Sequence, residues 1–153
     1  MTEIRFYHLQ RKSLDQALPP LLEKVLERGW RAVVLAGSEQ RVEALNLLLW
    51  TANPASFLPH GSRRDGSPAE QPIWLTTEAE NPNLANVLIL TDGAETDCST
   101  LPGITLVCDL FDGNDAEAVA AARRRWRTCK AAGHDLTYWQ QSPGGGWERK
   151  AGS

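Results

Sequence analysis

Long apolar runs are missing from this 153-residue chain. None approaches the roughly 18–20 residues that a membrane helix needs. The opening MTEIRFYHLQRK lacks the basic-then-apolar order of a signal peptide, so the expected location is the cytoplasm. Cysteine is scarce: Cys98, Cys108 and Cys129, an odd number with wide gaps. That argues against a secreted disulfide scaffold and against a zinc site built on a CxxC pair. A basic excess is also absent. Sixteen Lys and Arg face nineteen Asp and Glu, a net charge of −3, so any surface for an anionic partner has to be local. The period of a coiled coil and the composition of a collagen or a disordered chain are lacking too.

What remains is ordinary for a globular domain: 42% hydrophobic and 23% charged residues. Tryptophan is the exception. There are six, against five Tyr and Phe together. Trp fills cores and is also the side chain most enriched at binding hot spots.

Alternation of strand and helix patterns runs along the chain. Residues 4–9 read as a strand. Residues 14–29 follow with apolar positions at Leu14, Leu18, Leu21, Leu22, Val25 and Leu26, a helical period. Ser13 is placed as its N-cap; Pro19 and Pro20 imply a start near Leu18 or a break. Residues 31–36 suit a strand buried on both faces. A second helix spans 39–51, with Val42, Leu45, Leu48 and Leu49 inward and Trp50 near its end. Residues 59–72 form a long loop dense in Gly, Pro and charge. Strands follow at 73–77, 87–91 and 104–110, then a third helix at about 115–132, for which Asn114 and Glu117 offer a capping box. Residues 135–141 are a last strand or an extended arm, and 143–153 a flexible tail. The reading is a single domain over 1–142: a three-layer α/β/α sandwich on a mostly parallel sheet.

Sites for chemistry are hard to find. Neither GxGxxG nor GxxxxGK[ST] occurs, and no GxSxG elbow exposes a serine. Asp92 ends an apolar strand much as a Walker B acid would; with no phosphate loop it reads as a turn carboxylate before Gly93. FDGND (111–115) lacks the pattern of a calcium loop. His8, His60 and His134 have no spacing that suggests a metal site. No catalytic residue and no metal ligand is assigned.

Two surfaces suggest binding instead. On the third helix, Val119, Ala122, Trp126 and Cys129 share the inward face. Beside them Arg123, Arg127 and Lys130 form a cationic stripe, with Arg124 and Arg125 further round. Such a stripe is either a solvated face or a receptor for an acidic peptide, since arginine forks match carboxylates. The other surface surrounds Trp50, Phe57, Leu58 and Pro59, which either close the core under the loop or form an apolar patch for a partner.

The ordered segments FYHL (6–9), LW (49–50), SFLPH (56–60), QPIWL (71–75), LFDG (110–113), AR-x-x-W (122–126) and AAGH-x-L-x-YW (131–139) resemble the chi subunit of bacterial DNA polymerase III, nearly end to end. ENPN (80–83) and the G-W-E-R-K tail are similar to its alphaproteobacterial branch. The resemblance implies a Rossmann-like fold and a non-enzymatic clamp-loader accessory subunit without a cofactor. It also implies binding to the acidic C-terminal tail of single-stranded DNA-binding protein, and a second partner, the psi subunit or a helicase. Contact with nucleic acid is then indirect, and the rival readings are direct binding of single-stranded nucleic acid through the arginine helix and a small nucleotide- or metal-dependent enzyme. Carried over by position, the tail-binding residues are Arg123, Arg127 and Lys130, with Trp126 and Arg124 beside them. A family lysine one turn earlier falls on Val119. The second partner's surface falls on Trp50, Phe57, Leu58 and Pro59.

Overall fold

The computed structural model describes residues 2–10, 12–51, 58–63, 65–94, 103–141 and 146–152. Eight strands form one sheet: β1 (Glu3–Leu9), β2 (Ala32–Leu35), β3 (Gly61–Ser62), β4 (Ile73–Thr76), β5 (Val87–Leu90), β6 (Leu106–Asp112), β7 (Asp135–Gln141) and β8 (Trp147–Gly152). Their spatial order is β3-β4-β2-β5-β6-β1-β7-β8. Every pairing is parallel except β7 with β8. The helices are α1 (Leu14–Glu27), α2 (Glu39–Thr51) and α3 (Ala116–Ala131).

Short Val- and Leu-rich strands need cover on both faces, and all four residues of β2, β4 and β5 are buried. α1 and α2 supply it on one side through Leu18, Leu22, Val25, Val42, Leu45 and Leu49. On the other side Ala122 of α3, with Val119 and Trp126, packs on Ile4, Phe6, Val107 and Leu136. The expected three-layer, mostly parallel α/β/α sandwich is present.

Local differences from the sequence reading have local causes. α1 starts at Leu14 and runs through both prolines. The Gln16 side chain holds its first turn, Oε1 accepting from the Ser13 N–H at 3.0 Å. The cap of α3 is Asp115, whose carboxylate accepts from the Glu117 N–H, and not Asn114, which donates instead to the Gln10 carbonyl. The long loop contains β3 and a single 3₁₀ turn at Pro68–Glu70. Residues 135–141 are a strand, paired with β1 on one side and β8 on the other. The segment 147–152, expected to be flexible, is β8: Trp147 rests edge-on against Tyr7, centroids 4.9 Å apart, so an aromatic contact secures it.

The shared motifs are mostly structural. Trp74 of QPIWL donates its indole N–H to Glu80, which also accepts from Thr76. Asn83 of ENPN is fully buried and donates to the carbonyls of Ala32 and Gln71. The LFDG glycine, Gly113, lies against the His8 ring, where any Cβ would overlap it, and donates to the Leu9 carbonyl.

Candidate functional site: the outer face of α3

Alternation along β1, β6 and β7 decides what lies under α3. Phe6 and His8 of β1, Phe111 of β6, and Leu136 and Tyr138 of β7 all point to its side of the sheet. Trp126 bridges helix and sheet, edge-on to Phe6 at 5.3 Å and to Tyr138 at 6.0 Å. The Tyr138 hydroxyl and the His8 Nδ1 share a hydrogen bond of 2.5 Å. Trp126 and Tyr138 are half-buried, so they form a partly exposed aromatic shelf.

Arg123, Arg127 and Lys130 are exposed beside this shelf. Arg123 is close enough to act on its polar groups. Burial holds the His8 imidazole below its usual range; the hydrogen bond with the Gly113 backbone works against this, and the Arg123 charge reinforces it. Burial pushes the Tyr138 phenol up, while Arg123 pulls it down. Aromatic rings beside an exposed cation can receive an apolar side chain together with a carboxylate.

The remaining arginines separate from this group. Arg125 folds under the helix and grips Asp109 of β6 through two bonds, Nε to Oδ2 at 2.6 Å and Nη2 to Oδ1 at 3.0 Å. Both side chains are buried. Arg124 lines a different cavity, a crevice of about 940 Å³ over the C-terminal ends of β1 and β6, together with Lys12, Asp112, Asp115 and Glu117. That crevice carries both signs of charge. Asp92, also in its lining, sits in a turn with φ 55° and pairs with Arg41 at 3.0 Å. Among the described residues no cluster could hold a metal ion.

At the second surface, Trp50 is 57% and Leu47 is 64% exposed. Trp50 meets His60 edge-on at 5.2 Å. Leu58, assigned to this surface from sequence, is instead buried in the core with α2. Pro59 is half-buried, and Phe57 lies outside the described residues. Sequence reading did not single out Leu47, although it falls outside the inward set of Val42, Leu45, Leu48 and Leu49 and next to the exposed end of α2. It also missed Tyr138 and His8 as companions of Trp126. They come together because β1 and β7 are parallel neighbours, in which Phe6 faces Tyr138, a pairing that local sequence pattern does not reveal.

These features define a class: a doubly wound α/β protein with a cationic, aromatic-floored helix face and an apolar patch at the end of α2. Residues 1–137 match the family described as DNA polymerase III chi subunit, HolC, and the chain belongs to that family of polymerase accessory subunits. It is 38% identical over 90 residues to the probable DNA polymerase III subunit chi of Rickettsia prowazekii (strain Madrid E). That match covers 59% of this chain and about half of the relative, 54% of its length. No helix among the described residues is long and apolar enough to cross a membrane.

Proposed function

We propose that this protein is a non-catalytic adaptor of the cytoplasmic replisome, joining the clamp loader to single-stranded DNA-binding protein by holding that protein's acidic C-terminal tail. The observation that carries the reading is the partly exposed aromatic shelf of Trp126 and Tyr138 beside Arg123. In this reading the tail's terminal aromatic side chain lies on the shelf. Arg123, Arg127 and Lys130 meet its carboxylates. Arg124 faces the crevice and contributes little. The Trp50 and Leu47 face then takes the second partner, psi or a helicase, since two large apolar side chains stand in water there.

The test is calorimetry with a synthetic tail peptide. A charge-assisted hydrogen bond to a carboxylate contributes about 1.5–3 kcal/mol, so Arg123→Ala should weaken binding about tenfold or more, whereas Arg124→Ala should bind like the wild type. Equal affinities for all three proteins would reject the assignment. Tight binding of single-stranded DNA by the isolated protein would favour direct nucleic-acid recognition instead.

A further inference from the structure

The sheet has a second aromatic cluster, on the face opposite α3. Tyr7 of β1, Trp139 of β7 and Trp147 of β8 lie side by side there, Tyr7 stacked on Trp139 at 6.5 Å and edge-on to Trp147 at 4.9 Å. On this face α1 packs on β6 and α2. Between the flank of α1 and Trp147 a cavity of about 210 Å³ opens. Its floor is apolar, from Tyr7 and the aliphatic residues of α1 and β6. Its rim is cationic, from Arg5, Lys24 and Arg28, with Trp30 as one wall. Arg28 sits over the Trp30 ring at 5.1 Å. Arg5 is held by Glu3 at 2.9 Å. Among the described residues no carboxylate lines this cavity.

Volume and charge select the occupant. About 210 Å³ takes one large side chain. A run of nucleotides would need several open ring faces in a row, and here Tyr7 is buried and edge-on to its neighbour. A rim of one sign calls for the opposite sign on the ligand. We propose that this cavity is a docking site for an acidic peptide segment carrying one apolar or aromatic side chain, separate from the α3 face and on the other side of the sheet. The ring enters between Tyr7, Trp30 and Trp147, and the flanking carboxylates meet Lys24 and Arg28. The site uses none of the α3 residues, so it stands or falls apart from the tail reading. With both faces occupied, one molecule would hold two acidic segments at once.

The six indole N–H groups allow each surface to be watched separately in the full-length ¹⁵N-labelled protein, once assigned by Trp→Phe substitution. The probe is a peptide of four aspartates around one phenylalanine, blocked at both ends so that it has no terminal carboxylate. Titration should shift the Trp30 and Trp147 indole signals in wild type and in Arg123→Ala alike. Lys24→Glu combined with Arg28→Glu should weaken that response at least tenfold, and the milder Lys24→Gln, Arg28→Gln pair should weaken it less. Both positions are exposed, and far-UV circular dichroism confirms that the variants fold. The proposal is overturned if Trp30 and Trp147 stay still, if only Trp126 responds, or if the charge-reversed protein binds as well as wild type. It is equally overturned if oligothymidylate moves these indoles and the peptide does not.

Discussion

Asp109 stands in the middle of a parallel strand, 2% exposed, where a lone carboxylate would be expensive to bury. Arg125 answers it with a two-point grip that also fixes the rotation of α3, and so the direction in which Arg123 and Trp126 point. Removing one partner of such a buried pair costs about 3–5 kcal/mol, because the other charge stays behind. Arg125→Leu should therefore lower the unfolding free energy obtained from urea titration by that amount, while Arg125→Leu with Asp109→Leu should recover most of it. Equal destabilisation in the single and double variants would show that packing, not the stranded charge, decides the cost. His8 makes a prediction of another kind. Burial lowers its folded-state proton affinity below the unfolded value near 6.5. As pH falls, the unfolded chain takes up the proton first, so stability is lost on acidification. The contribution is flat above about pH 7.5 and declines once pH drops below about 6.5. His8→Gln should remove this part of the slope in urea titrations between pH 7.5 and 5.5; an unchanged slope would assign the loss to other groups.

Among the elements, α1 shows where sequence and structure part. Its apolar period was legible, as were the buried strands and the inward faces of α2 and α3, because each rests on spacing alone. The path of α1 through Pro19 and Pro20 was not. The missing N–H groups at those positions leave the carbonyls of Asp15 and Gln16 without helical donors, and local chemistry alone would end the helix. Leu18, Leu22 and Val25, buried on the sheet, outweigh that cost. Pro19 is buried with them, whereas Pro20 is exposed. Proline disfavours a helix interior by about 3 kcal/mol relative to alanine, its stiffening of the unfolded chain already included. Pro20→Ala should therefore stabilise the protein by up to about 3 kcal/mol and raise its thermal midpoint. A lower midpoint would mean that the ring packs usefully against its neighbours. The same limit hid the candidate site: Arg123 and Trp126 were legible from helical spacing, but their companions Tyr138 and His8 depend on which strands are neighbours. Leu58 differs for the converse reason: the resemblance placed it on the second partner's surface beside Phe57 and Pro59, and only the packing of the core behind it shows that it is buried. β8 was hidden too, because Gly-rich sequence before Trp147 resembles a tail, and its antiparallel pairing with β7, together with the Tyr7 contact, is a long-range feature that local sequence does not show.

At the scale of the whole molecule, net charge and local charge point in opposite directions. The chain is acidic, at −3, yet the proposed ligand of α3 is acidic as well. Screening settles which field the ligand meets: at 0.1 M salt the Debye length is about 10 Å, so Arg123, Arg127 and Lys130 dominate and distant carboxylates are muted. Each exposed pair contributes about 0.2–1 kcal/mol, and binding of the tail peptide should weaken up to about tenfold between 0.02 and 0.3 M salt. Net charge and local charge can be separated by two triple variants. Replacing Arg123, Arg127 and Lys130 by alanine should flatten the salt dependence. Replacing Lys12, Arg63 and Lys150, which are also exposed, changes the net charge by the same amount and should leave both affinity and slope near those of wild type. If the two triple variants lose affinity equally, the total charge of the protein governs the encounter, and the stripe on α3 is only a solvated helix face.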